Sequence, residues 1–335
     1  MDLVPAVLCA FSNGTIEAAE TVLPSNLCPL IKSSYGFILK DTCPFFSLSD
    51  AVIAETTCDG KKKMFELISQ KRPMHVMDLP QIPESSNAKR NWADMIRELQ
   101  AFLEKTFDRK VNDAQIEEAI RLTNARNALV RKVFDFAKCE PPVLSWLEVT
   151  EVAFYAQPAH PRDSIPVLEK VIEKLEARRA AGYSVGKAGA PRVMVTGSPV
   201  GGDATKVYKL IEESGATVVA IDSCTGMKPF ANDTAEGAAD PVAALSEKYL
   251  KIPCSCMSPN SRRLAVTDEI IRDFKVNAVV DVVLQACHSY NIESVKVGSH
   301  VSDSHGIPFL KIVTDYSQGD VGQIRTRVEA MIESI

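Results

Sequence analysis

The sequence has no apolar run close to the roughly 20 residues that a membrane-spanning helix needs, and it has no excess of basic residues. Its formal net charge is -5 at pH 7, and its pI is near 5.7. Nucleic acids and membranes are therefore poor candidate partners. The N-terminal residues also lack the basic leader and the length of a signal peptide, so we expect a cytoplasmic protein.

Aromatic residues make up only 7% of the chain, whereas hydrophobic residues make up 46% and charged residues 24%. These are values of a globular protein, and 335 residues exceed what one core usually serves. We predict an α/β protein with two doubly wound, flavodoxin-like parallel-sheet domains. Their expected ranges are 1–185 and 186–335, with a boundary near Gly186 and a helical segment at about 89–139 in the first.

Short apolar runs alternate with amphipathic stretches from Val193 to the C-terminus, a pattern typical of a doubly wound domain. The predicted strands there are 193–196, 217–221, 278–284 and 309–313. The predicted helices are 203–214, 242–249, 266–274, 292–305 and 321–335, with Asp203 as the first N-cap and Gly306 ending the fourth. In the N-terminal half the pattern predicts strands at Pro5–Cys9, 51–54 and 75–77, and a long helix over 170–179.

Nine cysteines are more than a hydrophobic core needs. In a reducing cytosol a disulfide framework is not expected, whereas thiolates gathered around a metal are common. Cys58, Cys224 and Cys287 each follow a predicted strand, and ligands of open α/β sheets collect outside the carboxyl ends of strands. Three thiolates can hold an iron-sulfur cubane and leave one iron open.

Four more cysteines lie in turn-like sequence flanked by Pro or Ser, namely Cys28, Cys43, Cys254 and Cys256. Any one of them alone would be interpreted as a small buried hydrophobe. Together with Cys58, Cys224 and Cys287 they form a set of seven cysteines, and this set favours metal binding. Cys9, within an apolar run, and Cys139, at the end of the helical segment, are interpreted as structural.

Several motifs resemble the 2-hydroxyacyl-CoA dehydratase and benzoyl-CoA reductase superfamily, and the match covers nearly the whole chain. These motifs are Glu55-Thr56-Thr57-Cys58-Asp59-Gly60-Lys61-Lys62-Lys63-Met64, Cys224-Thr225-Gly226, Gln285-Ala286-Cys287-His288-Ser289-Tyr290, and the tail segments 314–317 and 322–327. Within the superfamily, residues 27–37 and Cys254-Ser255-Cys256 are similar to the double-cubane cluster proteins.

The resemblance implies two α/β domains with an iron-sulfur cluster in the cleft between them. It implies that Cys58, Cys224 and Cys287 hold one 4Fe-4S cubane. In the double-cubane branch, further cysteines complete two cubanes joined by a sulfide (8Fe-9S). The residues that we assign to this role are Cys28, Cys43 and Cys254, with Cys256 as the alternate.

The first functional hypothesis is an oxygen-sensitive, ATP-dependent reductase of small molecules in anaerobic metabolism. A separate iron-sulfur activator protein would hydrolyse ATP and deliver low-potential electrons, and the relatives imply a homodimer. The loop Gly197–Gly202 lacks the Lys-Ser/Thr pair of a Walker motif and the spacing of a dinucleotide fingerprint. We therefore expect this loop to be a tight turn at the cluster pocket and ATP to bind only to the activator.

Two alternatives stay open. The chain is a 4Fe-4S subunit of a 2-hydroxyacyl-CoA dehydratase, a lyase, paired with a homologous subunit in a heterodimer. Or it is a truncated, non-catalytic member, because proteins of this family normally begin with a further strand and helix before the segment that matches Val4–Cys9.

Three charged or titratable features lie beside the cysteines. Glu55 and His288 are candidates for proton transfer or for tuning the cluster, and they are equally candidates for satisfying loop backbone. The run Lys61-Lys62-Lys63 could attract CoA phosphates or an acidic activator surface, although a solvated helix face is the ordinary explanation.

Overall fold

The computed structural model describes Met1 and residues 3–335. The helices are α1 (Ile16–Glu20), α2 (Pro29–Leu39), α3 (Pro44–Leu48), α4 (Asp59–Ser69), α5 (Ala88–Phe107), α6 (Asp113–Phe134), α7 (Trp146–Ala156), α8 (Pro161–Ala180), α9 (Lys206–Glu213), α10 (Pro241–Leu250), α11 (Ser261–Asp273), α12 (His288–His305) and α13 (Val321–Glu333). The strands are β1 (Val52–Glu55), β2 (Met74–Met77), β3 (Arg192–Gly197), β4 (Thr217–Asp222), β5 (Ala278–Leu284) and β6 (Phe309–Thr314).

The strands form two parallel sheets, which confirms the predicted α/β class. One sheet has the order β1-β2, and the other has the order β4-β3-β5-β6. The chain divides into two compact units: the first comprises residues 1–10, 14–125 and 232–260, and the second comprises 11–13, 126–231 and 261–335. Gly186 lies within the second unit, and the boundary drawn there from the sequence stays a prediction.

The first unit packs α5 against β2 and α10. Trp92 and Ala88 of α5 lie in one buried cluster with Met77 and Leu250. Further apolar residues of α5 pack against the same cluster, so they lie on one face of the helix.

The second unit is built on a sheet in which three of the four strands are buried along their whole length. Every residue of β3, β4 and β5 is buried, as expected for parallel strands covered by helices on both faces. The β-branched run 278–284 coincides with β5, and Gly306 ends α12 with a left-handed φ of 65°. Both predictions are confirmed.

The predicted strand at Pro5–Cys9 is wrong. Residues 3–12 form neither strand nor helix, and Val4 is 89% exposed. An apolar run becomes a strand only where a neighbouring strand accepts its hydrogen bonds, and Pro5 offers no N–H donor. The backbone N–H of Ala10 instead donates to the Ser34 hydroxyl, at 3.1 Å.

Asp203 is not the N-cap of α9, which is also a correction. A 3-10 turn covers Gly202–Thr205, and α9 starts only at Lys206. The Asp203 carboxylate accepts a hydrogen bond from the backbone N–H of Asn13, at 2.8 Å. Asp203 therefore ties a distant segment to the loop rather than capping its own helix.

A buried charge network joins α11 to the carboxyl ends of β3 and β4. Arg263 donates to Asp222 at 2.8 Å and to the Thr196 hydroxyl at 2.7 Å. The side chains of Arg263 and Asp222 are each only 2% exposed, and Lys228 lies 3.8 Å from the other Asp222 oxygen. Burial alone would raise the pKa of Asp222, but the charges of Lys228 and Arg263 hold that pKa below its ordinary value.

Within the described residues, no helix is both long and apolar enough to cross a membrane.

The first prediction concerns Gly197, where β3 ends. Its φ is 108°, and a Cβ there would lie 2.2 Å from the Val282 carbonyl oxygen. Gly215 has a similar φ of 96°, but no described heavy atom lies within 4 Å of its Cβ position. We expect Gly215→Ala to lower the free energy of unfolding by about 1–2 kcal/mol through backbone strain, and Gly197→Ala to cost about 1–3 kcal/mol more through the clash. Chemical denaturation measures both, and equal losses would contradict the close contact.

The second prediction concerns the buried ion pair. Arg263→Met leaves Asp222 buried without its main hydrogen-bonding partner, so we expect a loss of about 3–5 kcal/mol in the free energy of unfolding. Adding Asp222→Leu removes the stranded charge, so the double variant should lose less than the sum of the two single variants. Additive losses in denaturant unfolding would show that the two side chains are not coupled.

Candidate functional site

Cys224 and Cys287 follow two strands of the second unit's sheet at its carboxyl edge. Cys224 comes two residues after the end of β4, and Cys287 comes three residues after the end of β5. Strand β3 lies between β4 and β5, so the bases of the two loops are about 10 Å apart. The order of strands reverses between β3 and β5, which is the place where open α/β sheets bind their ligands.

The loop that carries Cys224 is held from both sides. The hydroxyls of Ser223 and Thr225 lie 2.9 Å apart, and Thr225 also accepts a hydrogen bond from the Val200 N–H at 3.2 Å. Ser223 and Thr225 are buried, whereas Cys224 between them is exposed. The loop thus presents one residue from a rigid base, as a ligand position requires.

Cys287 occupies the N-cap position of α12. The residue before it, Ala286, has a left-handed φ of 59°. The backbone N–H of Asn291 donates to the Cys287 carbonyl, at 2.9 Å. A thiolate at this position is stabilised by the positive end of the helix dipole.

In the loop after β3, two glycines let another segment of the chain approach the backbone closely. A Cβ at Gly202 would lie 2.3 Å from the Phe11 carbonyl oxygen, and a Cβ at Gly201 would lie 2.8 Å from the Phe11 ring. The Asp203 N–H also donates to the Phe11 carbonyl, at 2.8 Å. Phe11 therefore occupies the approach that the glycines open.

Three cysteines of the first unit are also at helix N-caps. Cys28, Cys43 and Cys58 precede α2, α3 and α4. The Sγ of Cys43 accepts from the Phe46 N–H and the Sγ of Cys58 from the Lys61 N–H, both at 3.4 Å. In α2 and α3 proline follows the cysteine directly. Proline suits the first position of a helix, because a backbone N–H there would have no partner within the helix. The thiols of Cys43 and Cys58 therefore each accept an N–H group that has no partner within the helix.

The segments around Cys28 and Cys58 lie side by side. A Cβ at Gly60 would be 2.7 Å from the end of the Leu27 side chain, so the start of α4 lies directly against the residues before α2. Cys43 follows the opposite end of α2. The eleven residues of α2 span about 16 Å.

The segment containing Cys254 and Cys256 is tied to the loop before Cys58. Gln81 donates from its side chain to the Thr56 carbonyl at 2.9 Å, and its own carbonyl accepts from the Ser258 N–H at 2.8 Å. A hydrogen bond with Cys254, together with burial, raises the pKa of the Cys256 thiol. The two neighbouring thiols thus oppose each other's ionisation, which fits one ligand from the pair.

Glu55 and Lys61 form an ion pair beside these cysteines, and both side chains are about one-third exposed, 36% and 33%. Partial burial would lower the pKa of Lys61, but the Glu55 carboxylate raises it above its ordinary value. Negative charge on the sulfur of Cys9 or Cys58 also acts to raise the pKa of Lys61. Lys61 is therefore a fixed positive charge among thiols, whereas Lys62 and Lys63 are the solvated face of α4, with side chains 47% and 66% exposed.

The donor set suits an iron-sulfur cluster in both units. Thiolate is the ligand that such clusters require, and the thiols here lie after strand ends, at helix N-caps and in short loops. Cys28 is buried, Cys224 is exposed, and the other proposed ligands are partly exposed. Cys58 belongs to the first unit, and Cys224 and Cys287 belong to the second. Their convergence on one cluster stays a prediction.

Sequence reasoning missed three contributors to this arrangement. Cys9, interpreted as structural, has the Lys61 and Glu55 charges beside it, and its signal was only its place in an apolar run. Arg263 and Asp222 were not singled out, because their pairing spans 41 positions.

Two other residues named from the sequence are also placed. His288 is the exposed first residue of α12, and Cys139 accepts a hydrogen bond from Arg192 through its carbonyl, at 3.1 Å.

Comparison with known proteins gives one family over the full chain. The model of the family 2-hydroxyglutaryl-CoA dehydratase, D-component, matches residues 1–335. Among individual proteins, the chain is 42% identical over 330 residues to the "Putative dehydratase subunit YjiM" of Escherichia coli (strain K12), covering 98% of this chain and 85% of that protein.

Two more distant relatives are named for known reactions. The beta subunit of (R)-phenyllactyl-CoA dehydratase from Clostridium sporogenes is 20% identical over 331 residues, covering 97% of this chain and 84% of that protein. Subunit beta of (R)-2-hydroxyglutaryl-CoA dehydratase from Acidaminococcus fermentans is 22% identical over 339 residues, covering 96% and 85%. The chain belongs to the 2-hydroxyglutaryl-CoA dehydratase D-component family, within the 2-hydroxyacyl-CoA dehydratase superfamily.

Proposed function

We propose that this chain is an iron-sulfur oxidoreductase that reduces small molecules at a double-cubane cluster. The observation that carries the proposal is the placement of cysteines at helix N-caps. Cys28, Cys43, Cys58 and Cys287 all occupy that position. A single cubane with three protein ligands would use fewer such positions than these four.

The proposed ligands are Cys28, Cys43, Cys58, Cys224, Cys254 and Cys287, with Cys256 as the alternate to Cys254. When bound, the cluster supplies low-potential electrons to the substrate. The N–H groups and dipoles of helix N-termini favour negative charge at the capping positions, where four of these ligands lie. The buried shell around Cys224 holds that residue in place while leaving it exposed.

Two residues are proposed for proton transfer. Glu55 is partly exposed and paired with Lys61, so its carboxylate is held close to Cys58 and can exchange a proton when the pair opens. His288 is exposed beside Cys287 at the start of α12. Each reaches solvent, which proton supply to a reductive reaction requires.

A separate activator is proposed as the ATP-hydrolysing partner. The glycine loop after β3 supports this division of labour, because Phe11 packs on Gly201 and Gly202 where a phosphate would have to approach. The partly exposed Lys62 and Lys63 offer an acidic activator surface a point of attraction. We propose a cytoplasmic homodimer.

The second candidate function is a 4Fe-4S subunit of a 2-hydroxyacyl-CoA dehydratase, working with a homologous partner subunit. The names of the relatives favour it, since two of them are beta subunits of acyl-CoA dehydratases. In that enzyme only Cys58, Cys224 and Cys287 would hold the cluster. Cys28 and Cys43 would then be plain helix caps.

The third prediction separates the two functions by metal content. Anaerobically purified protein should contain about eight iron atoms per chain if a double cubane is present, and about four if one cubane is present. Cys28→Ser should lower the iron content by about half only in the first case, because serine keeps the cap but is a poor ligand for iron. Iron and sulfide analysis with EPR after reduction measures this.

The control for that experiment is Cys139→Ser, which removes a partly exposed thiol outside the proposed ligand set. We expect it to keep the full iron content. Unchanged iron in Cys28→Ser would remove Cys28 from the ligands, and a wild-type protein without iron would overturn both functions.

The fourth prediction decides between two neighbouring thiols. We expect Cys254→Ser to lose iron and Cys256→Ser to retain it, because burial and the hydrogen bond with Cys254 raise the pKa of the Cys256 thiol and the thiolate is the form that binds a metal. The two variants differ by two positions in one loop, so they control for each other. Iron loss in Cys256→Ser alone would reverse the assignment.

A further inference from the structure

A second group of metal-binding side chains lies in the second unit, apart from all cysteines in the sequence. It consists of Asp268 on α11 and of His300 and His305 on α12. One nitrogen from each ring and one carboxylate oxygen lie within 4.8 Å of one another. The His300 and His305 side chains are each 23% exposed, and that of Asp268 is 39% exposed.

Both imidazoles point at the same atom. The Nε2 atoms of His300 and His305 lie 2.7 Å and 2.6 Å from one oxygen of Asp268, Oδ1. The ring centroids are 6.0 Å apart, and the planes are nearly perpendicular at 77°. The two rings thus approach the carboxylate from different directions instead of stacking, as ligands around one ion do.

We propose that Asp268, His300 and His305 bind one divalent transition-metal ion of the zinc class. Two imidazole nitrogens and a carboxylate oxygen are a ligand set that zinc accepts, with a fourth position left for water. Bonds of about 2.0–2.1 Å in a tetrahedral arrangement place ligand atoms roughly 3.3 Å apart. Each imidazole nitrogen therefore needs to move away from the carboxylate oxygen by only about half an ångström for the ion to replace the shared proton.

The local structure orients the ligands before the ion arrives. The hydroxyl of Ser304 lies 3.4 Å from the second nitrogen of His300, Nδ1, where it can fix the tautomer that leaves Nε2 for the metal. Gly306 ends α12 immediately after His305 with a left-handed φ, and its N–H donates to the Ser302 carbonyl at 3.1 Å. This turn holds His305 at the end of the helix.

The site lies well away from Cys287, the proposed cluster ligand on the same helix. Along α12, His300 is thirteen residues from Cys287, which corresponds to about 20 Å. A metal ion there would fasten α12 to α11, whose first turn carries the buried Arg263. Its expected effect is therefore on the stability of the second unit.

Zinc binding to the anaerobically purified, cluster-loaded protein tests the proposal. At pH 7.5, where histidine is mostly neutral, equilibrium dialysis with zinc should give one bound ion per chain. X-ray absorption at the zinc edge should show nitrogen or oxygen neighbours at about 2.0–2.1 Å, not sulfur at about 2.3 Å. The ion should also raise the thermal midpoint of unfolding.

Three variants and one control complete the test. His300→Gln and His305→Gln should each weaken zinc binding at least about tenfold, and Asp268→Asn, which keeps the shape, should abolish the thermal shift. His160→Gln removes an exposed histidine at the start of α8 and should bind zinc as the wild type does. Sulfur neighbours in the spectrum, or equal zinc affinity in the wild type and in both glutamine variants, would overturn the site.

Discussion

The second unit depends on one buried ion pair, that between Arg263 and Asp222. Burying both charges is costly, and an apolar pair would hold the fold as well or better. The pair instead fixes positions: Arg263 bonds Asp222 and Thr196, the residues near the ends of β4 and β3. The loops that begin there carry Cys224 and the glycines that receive Phe11. A network that sets where strands end therefore also sets where the thiols lie, and this specificity is the reason we infer for keeping the charges.

The same logic recurs around the other cysteines, with helix ends in place of buried charge. A thiol at an N-cap accepts backbone N–H groups that otherwise have no partner in the helix, as Cys43 and Cys58 do. Helix capping and binding of a metal cluster thus both use electron density on the cysteine sulfur. This explains why cysteines replace the usual Ser, Thr or Asp at these caps, and why proline follows two of them. In this chain, each of these two Cys-Pro pairs marks the start of a helix.

Much of the fold was predictable from the sequence because its signals are local. The β-branched run of β5 and the glycine after α12 are decided within a few residues, and both were predicted correctly. Pro5–Cys9 failed because a strand also requires a partner, which lies elsewhere in the chain. Asp203 failed because it bonds Asn13, 190 positions away. The candidate site divides in the same way: cysteines after strands and in turns were identified by type and context, whereas Arg263 with Asp222, and Asp268 with His300, pair across 41 and 32 positions and leave no local pattern.

The loops that carry Cys224 and Cys58 are held in place by their neighbours, which affects how a cofactor is inserted. Cys224 is exposed between buried, hydrogen-bonded neighbours, and the loop before Cys58 is tied through Thr56 to Asp78 and Gln81. The conformational entropy of these loops is therefore lost when the chain folds rather than when a cluster binds. Ligands held this way need only ionise and rotate to meet iron, so within each unit folding can precede cluster insertion. That order distinguishes this chain from small metal-dependent domains, whose ligand loops become ordered only around the metal.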